Sequence, residues 1–283
     1  MQSAIPRRRV PFAVPASVQV RRSYAESRYG QLHLHTVYPA GGGFDERRPL
    51  LCLHPLGASS KYFVPLLTEL ARDRIVYALD VPGFGHSDAP DRQWSLMEVA
   101  EVLSEFADTL RLRSFDVYGV QLGALLAIEM ATLRSVQVHG VVLDSVPHYT
   151  HQEAKLQQWS HLPILPEVDG SHLIKEWQRL VGARAKQIDS DHMTRALVDV
   201  LQARQHNGLA QQALLDYPTA QRLAEVRQPG LIVCSHPEFQ EHCRRAKQAY
   251  SLAMYEEPSD ASAHMLAYPP LRVLHSVRQF LNR

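Results

Sequence analysis

The chain contains 283 residues, and a composition of 45% hydrophobic and 21% charged residues is typical of a folded globular protein. The 30 lysines and arginines nearly balance the 29 aspartates and glutamates, so no broad basic face for nucleic acid is expected. No apolar run approaches the roughly 18 residues of a membrane-spanning helix, which predicts a cytoplasmic protein without a membrane contact. The three cysteines, Cys52, Cys234 and Cys243, are too widely spaced to indicate a disulfide framework or a zinc cluster.

Residues 1–17 differ in composition from the rest of the chain. Arg7–Arg9 precede a stretch that Pro11 and Pro15 interrupt, and no apolar segment typical of a signal peptide follows them. Two interpretations remain open. The segment is either an arm that packs on the body or on a partner subunit, or a solvated tail.

The remaining chain alternates strand-like and helix-like segments. The predicted strands are Val18–Tyr24, Gln31–Tyr38, Leu50–Leu53, Ile75–Leu79, Phe115–Gly119, Val138–Leu143, Gly230–Cys234 and Leu252–Tyr255. The predicted helices between and after them are Tyr62–Leu70, Ser95–Leu110, Ala124–Leu133 and Leu271–Leu281. The first two strands are expected to form an antiparallel hairpin. The alternation predicts an α/β protein with a mostly parallel eight-stranded sheet flanked by helices.

The pattern changes between residues 148 and 223, where strand-like runs disappear. Helical spacing is found at Ser171–Val181, His192–Gln205 and Ala210–Leu215, with prolines between these segments. The sequence therefore predicts a helical insertion at 148–223, after the sixth strand. The sheet domain would consist of residues 18–147 and 224–283.

Four short motifs lie at the ends of predicted strands, where open α/β sheets bind their ligands. They are Leu53–Gly57 (LHPLG), Asp80–Ser87 (DVPGFGHS), Gly119–Gly123 (GVQLG) and Ala263–Met265 (AHM). As a set they resemble the α/β-hydrolase superfamily, and the resemblance extends over residues 18–283. It implies the α/β-hydrolase fold, with the insertion as a helical cap over the site.

The resemblance implies a sharp strand–turn–helix elbow of the form Gly-x-Ser-x-Gly, in which the serine is the nucleophile. Gly119 and Gly123 are present, but Gln121 stands at the middle position. A carboxamide is a poor nucleophile and does not ionise near neutral pH, so serine-type acyl-enzyme chemistry is excluded at this position. Gln121 could instead orient water or substrate.

The resemblance also implies the other parts of a catalytic site. His264 would act as general base or acid, and Glu238, after the next-to-last strand, would orient it. Asp144, at the end of the sixth strand, is the competing acid. The backbone N–H groups of Leu56 and Leu122 would form the oxyanion hole.

Three further residues are assigned to the substrate pocket. His54 would support the oxyanion loop, whereas His172 and Trp177 would reach the ligand from the cap, and His172 could equally have no such role. His33 and His35 alternate with leucines and are interpreted as an exposed strand face. No metal site and no organic cofactor are expected.

Two functions from different classes fit these features. The first is an enzyme of hydrolase descent that acts on a small carbonyl compound by His-based acid–base chemistry, as a lyase, cyclase, isomerase or water-activating hydrolase. The second is a catalytically silent ligand-binding or scaffold protein that keeps the hydrolase pocket. In both cases the expected partner is a small molecule, and the protein is expected to be a monomer or a homodimer.

Overall fold

The computed structural model of the protein describes residues 19–39, 47–90, 92–157, 165–182, 190–258 and 271–283. Residues 1–17 and His264 lie outside the described residues, as do parts of the predicted insertion.

The described residues form an eight-stranded sheet in the order β1-β2-β4-β3-β5-β6-β7-β8. Its strands are β1 (Val20–Ser27), β2 (Gly30–Val37), β3 (Leu50–Leu53), β4 (Val76–Leu79), β5 (Phe115–Val120), β6 (Val138–Asp144), β7 (Gly230–Val233) and β8 (Ala253–Glu256). Both β1–β2 and β2–β4 are antiparallel, and all the other neighbouring pairs are parallel. The predicted eight-stranded, mostly parallel sheet is confirmed.

Helices cover both faces of the sheet, which explains why every residue of the central strands β3, β4 and β5 is buried. The described helices of the sheet domain are α1 (Val64–Leu70), α2 (Leu96–Thr109), α3 (Leu122–Leu133), α9 (Gln240–Ala249) and α10 (Leu271–Leu281). The first and last of these pack in one buried cluster, and α2, α3 and α9 pack in the other. Helix α2 begins at a capping box in which Ser95 and Glu98 exchange hydrogen bonds. Helix α3 is buried from Leu122 to Ala131, because it lies between the sheet and the neighbouring helices.

Five described helices lie between β6 and β7. They are α4 (His151–Gln157), α5 (Ser171–Val181), α6 (Ser190–Gln202), α7 (Arg204–Leu215) and α8 (Thr219–Glu225). Asp199 of α6 accepts hydrogen bonds from Ser59 Oγ at 2.7 Å and Lys61 Nζ at 3.1 Å, so this helix contacts the loop after β3. The cap role of this insertion stays a prediction.

A buried ion pair joins α3 to the end of the insertion. Glu129 accepts two hydrogen bonds from the Arg222 guanidinium at 2.7 Å each, and a third from Tyr217 Oη at 2.6 Å. Glu129 is 1% exposed, so its carboxylate depends on these donors for the solvation that water would otherwise supply. A second acid, Glu225, contacts Arg222 at the surface.

Replacement of Glu129 should therefore destabilise the protein far more than replacement of Glu225. We expect Glu129→Gln to lower the free energy of unfolding by about 2–4 kcal/mol, because it removes the buried anionic partner of the largely buried Arg222 and leaves only the pair with Glu225 at the surface. The matched variant Glu225→Gln should cost less than about 0.5 kcal/mol, since an exposed pair contributes little. Urea denaturation of the two variants measures both values. Equal losses would show that the buried pair stabilises the protein no more than the exposed one.

Candidate functional site

The loops after β3, β4 and β5 meet at one edge of the sheet. These strands are parallel neighbours, and Leu53 at the end of β3 is in register with Leu79 at the end of β4 and with Gly119, the next-to-last residue of β5. The chain therefore leaves the sheet at the same level in all three loops. A ligand at this edge can be contacted from each of them.

Gln121 links β5 to α3 in a strained backbone conformation, with φ 49° and ψ −108°. Its N–H donates to the carbonyl of Asp144 at 2.9 Å, and its own carbonyl accepts the N–H of Ala124 at 2.9 Å. A positive φ at a residue other than glycine costs of order 1–3 kcal/mol and persists only where the surroundings impose it.

The surroundings of this turn are backbone atoms at very short range. A Cβ added to Gly123 would lie 2.0 Å from the carbonyl oxygen of Leu53, and one added to Gly119 would lie 2.0 Å from that of Gly123. Only glycine fits at either position, which accounts for the Gly-x-x-x-Gly spacing. The turn is a sharp strand–turn–helix elbow.

Two backbone N–H groups beside the elbow lack acceptors. Among the described residues, neither the amide of Leu56 nor that of Leu122 donates a hydrogen bond. Leu122 is the first residue of α3, where an N–H has no acceptor within the helix. Because Leu56 and Leu122 each follow the register pair Leu53–Gly119 by three residues, these two donors emerge from adjacent strands.

His54 lies at the base of the loop that carries Leu56, and its ring joins two strands. Its Nε2 accepts the backbone N–H of Val81 at 3.0 Å, so Nδ1 carries the proton and donates to the carbonyl of Pro55 at 2.8 Å. Burial lowers the pKa of His54, which keeps this neutral tautomer. Both ring nitrogens are engaged in holding the loop.

Asp144, one of the two candidate acids, is fully buried behind the elbow. Its carboxylate accepts four hydrogen bonds, from Tyr118 Oη at 3.0 Å, Ser145 Oγ at 2.9 Å, and Ser235 N and Oγ at 3.1 and 2.8 Å. Ser145 Oγ also lies 2.9 Å from Nδ1 of the buried His236. These contacts join the ends of β5, β6 and β7 in one polar cluster.

The other predicted site residues occupy more open positions. Glu238 is exposed in a short 3₁₀ turn, Pro237–Phe239, after β7. His172 in α5 accepts the N–H of Glu167 at 3.0 Å, so it holds the turn that precedes its own helix. Trp177 of α5 is partly buried and packs on the cluster that contains α1 and α10.

The expectation that His33 and His35 form an exposed face is wrong. Their side chains are 3% and 6% exposed. His33 Nδ1 lies 2.8 Å from Asp80 Oδ2, and His35 Nδ1 lies 2.8 Å from Ser60 Oγ. The segment that follows β3 covers this side of β2, a tertiary contact that alternation along one strand does not reveal.

Asp80, the first residue of the motif Asp80–Ser87, holds several segments together through its hydrogen bonds, a role that the motif alone does not predict. Besides His33, it accepts the N–H groups of Ser60 at 2.6 Å and His86 at 2.8 Å. Burial opposes its charge, but these hydrogen bonds, led by the one from His33, outweigh burial and lower the pKa of Asp80 well below its usual value. Asp80 thus stays ionised and fixes the loops after β3 and β4.

Residues 50–274 match the profile of the Alpha/beta hydrolase family. The chain belongs to this family.

The similarity to individual α/β-hydrolases is partial in sequence and extensive in fold. The pimeloyl-[acyl-carrier protein] methyl ester esterase of Shewanella woodyi is 32% identical over 118 residues, which is 40% of this chain and 41% of that protein. The chain spans only 22% to 41% of the length of the four curated relatives it matches.

Two solved structures show how closely the fold follows the family. A hydrolase from Pseudomonas aeruginosa PA01 superposes with a TM-score of 0.77 at 17% identity, over 93% of this chain and 98% of that one. The enol-lactonase from Burkholderia xenovorans LB400 superposes with a TM-score of 0.75 at 18% identity, over 92% and 100%.

None of the helices that the structure describes is long and apolar enough to cross a membrane. Within the same residues, no three His, Cys, Asp or Glu side chains are grouped so that they could hold a metal ion.

The buried histidines should make the protein lose stability as the pH falls from about 6.5 to 4. Burial lowers the pKa of five histidines, to about 4 for two of them; they are His35, His54, His148, His206 and His242. In this window the unfolded chain binds more protons than the folded one, so acidification favours unfolding. The pKa of Asp116, which burial raises, opposes this trend with a single group. The pKa of Glu98 and of Glu153 is lowered from 4.5 to about 2, so most of the stabilisation from these carboxylates is lost only below this window.

Urea denaturation at several pH values measures this loss. His242→Asn should flatten the pH dependence, because it removes one of the groups with a pKa of about 4. The matched variant His139→Asn changes an exposed ring and should keep the slope of the wild type. A free energy of unfolding that stays constant between pH 6.5 and 4 would contradict the prediction.

Proposed function

We propose that this α/β-hydrolase is an enzyme that acts on a small carbonyl-containing molecule without a serine acyl-enzyme. The observation that carries the proposal is the elbow. A φ of 49° at Gln121 is retained although this residue cannot be the nucleophile for which the family uses the strained turn. The turn still presents the side chain and the following amide at the edge of the sheet.

The two unengaged amides supply the second argument. Donors that are already oriented toward a developing negative charge stabilise it without any reorganisation during the reaction. The N–H groups of Leu56 and Leu122 are available for this role, since they have no acceptor among the described residues. They would hold the oxygen of an enolate or of a tetrahedral oxyanion.

In this proposal Gln121 is a positioning group rather than a nucleophile. Its carboxamide can donate to a substrate oxygen and accept from a water or a substrate hydroxyl. His264 would move the proton as general base or acid. Deprotonation beside a carbonyl leads to elimination, carbon–carbon cleavage, cyclisation or isomerisation, and attack by an activated water would give hydrolysis.

The hydrogen bonding of the two candidate acids favours Glu238 as the partner of His264. The Asp144 carboxylate already accepts four hydrogen bonds and is fully buried, so it has little capacity for another donor. Glu238 is exposed in the 3₁₀ turn that comes between β7 and α9. A carboxylate there would fix the imidazole tautomer and stabilise its protonated form.

The remaining parts of the proposal concern the ligand. The helices between β6 and β7 would act as a cap, with His172 and Trp177 on its ligand side, and no organic cofactor is required. The names of similar proteins, a methyl ester esterase and an enol-lactonase, support a carbonyl group in the substrate. The competing proposal is a silent binding protein, favoured by the same glutamine at the elbow.

Restoring the serine tests the state of the elbow. The wild type should neither hydrolyse activated esters measurably nor be labelled at residue 121 by a serine-directed phosphonate. Gln121→Ser should gain slow ester hydrolysis and phosphonate labelling, because the turn and the two amides are retained. Gln121→Ala is the matched control and should gain neither. Phosphonate labelling of wild-type Gln121 would refute the proposal. A Gln121→Ser protein that folds but stays inactive would show that His264 and Glu238 do not act as an acid–base pair.

Substitution of His264 distinguishes the enzyme from the binding protein. Small esters, lactones and ketones are incubated with each variant and analysed by mass spectrometry. His264→Ala should slow conversion roughly 10²–10⁴-fold, the usual contribution of a general acid–base group, and Glu238→Gln should slow it less. The control His139→Ala, at an exposed position in β6, should leave the rate unchanged. A ligand that binds and is returned unaltered by the wild type would favour the binding protein.

A further inference from the structure

A cavity of about 320 Å³ lies beside the β1–β2 hairpin, away from the elbow. Its lining includes Arg22, Lys61 and the three histidines His33, His35 and His86. Neither Gln121 nor the amide-bearing Leu56 and Leu122 is among its lining residues. This histidine cavity is therefore a place separate from the proposed catalytic site.

The strand register brings the basic residues of the cavity together. In the antiparallel pair β1–β2, Arg22 lies opposite His35, and Tyr24 lies opposite His33. Residues directly opposite each other point to the same side of a sheet, so the Arg22 and His35 side chains share one face. Lys61, in the segment after β3, lines this face as well.

The lowered pKa of His35 indicates a positive electrostatic potential around its ring. Burial is the largest cause that lowers its pKa to about 4, and His33 is the next. Arg22 and Lys61 lower it further, whereas Asp80 acts in the opposite direction. A field that resists the protonation of an imidazole attracts an anion.

The nearby acids leave part of this positive charge without a partner. Asp80 lies beneath the histidines and is committed to His33 and to backbone N–H groups, while Asp199 pairs with Lys61 at 3.1 Å. Arg22 forms no ion pair with any residue that the structure describes. Buried imidazoles at 33 and 35 also replace the apolar side chains that would suit a covered strand better.

We infer that the histidine cavity binds a soluble small molecule that carries a phosphate monoester, with Arg22 and Lys61 contacting the phosphate. A phosphate monoester carries close to two negative charges at neutral pH, and its oxygens suit the guanidinium fork of Arg22, which has no ion-pair partner among the described residues. Lys61 has three N–H donors and can give one to the phosphate while another is held by Asp199. The cavity volume is near the lower end of the roughly 300–1,000 Å³ that is usual for ligand pockets, so it admits more than a bare phosphate.

The rings of the cavity provide flat surfaces for the rest of the ligand. His33 packs edge-to-face against Tyr24, His35 and His86, at centroid distances of 5.2, 5.0 and 5.2 Å. A metal ion is a poorer occupant, because Nδ1 of His33 and Nδ1 of His35 are engaged by Asp80 and Ser60. The proposed ligand is thus a phosphorylated compound with a small planar or sugar-sized body.

The test is a titration of the labelled full-length protein followed by NMR at the imidazole resonances of His35. The probes are inorganic phosphate and phenyl phosphate at constant ionic strength, with chloride as the reference anion. Both phosphates should give saturable shifts, with tighter binding of phenyl phosphate. The pKa of His35 should rise when they bind, because the added negative charge offsets Arg22 and Lys61 while His33 and Asp80 stay in place.

Two single-cation variants locate the binding. Arg22→Gln, on an exposed edge strand, should weaken phosphate binding roughly 3–10-fold and leave the fold intact. The matched control Arg195→Gln removes a cation from the neighbouring cavity, which shares Lys61 with this one, and should leave the affinity unchanged.

Three results would overturn the inference. The first is the absence of any phosphate-specific shift at His35. The second is equal weakening of phosphate binding by Arg22→Gln and Arg195→Gln, which would indicate non-specific attraction. The third is binding to phosphatidic acid vesicles without a response to either soluble phosphate.

Discussion

The contact between the first turn of α3 and the ends of β3 and β5 is the constraint on which the rest of the site depends. At Gly123 this contact leaves no room for a side chain, because the carbonyl oxygen of Leu53 would lie 2.0 Å from its Cβ. The chain must then reverse direction within one residue, which imposes the φ of 49° at Gln121. The same reversal leaves the Leu122 amide in the first turn of α3, without an acceptor among the described residues.

Two buried carboxylates hold this geometry from either side, independently of the side chain at the elbow. Asp80 fixes the loops after β3 and β4, and Asp144 joins the ends of β5, β6 and β7. Each accepts several hydrogen bonds, which is the condition for keeping a charge in the interior. A glutamine in place of the family's serine would therefore change the chemistry of the site far more than its shape, which is why the proposed function retains the oxyanion amides and replaces the covalent step.

The sequence predicts those parts of the structure in which local pattern and burial agree. The bounds of β3, α5 and α10 agree with prediction, because an apolar run or a helical period is visible in the sequence itself. The glycine spacing of the elbow also agrees, because the close approach of backbone atoms there excludes any other residue. Helices α4, α8 and α9 were not predicted; in α9 only His242, Cys243 and Ala246 are buried, so it has no apolar stripe to detect. The burial of His33 and His35 depends on residues of another segment and leaves no signal along β2 itself.

The segment from Leu56 to Lys61 serves both the proposed catalytic site and the histidine cavity. Its first residue carries one of the free amides, and its last lines the cavity. Between them, Ser59 Oγ donates to Asp199 of the insertion and Ser60 N donates to Asp80. Because Ser59 and Ser60 fix the segment to two different parts of the fold, we expect it to be rigid where it lies between the elbow and the histidine cavity. A shift that moved Lys61 toward a bound anion would have to break one of these bonds before it could reach the amide of Leu56. The structure thus keeps the two proposed sites apart although only four residues of chain lie between Leu56 and Lys61.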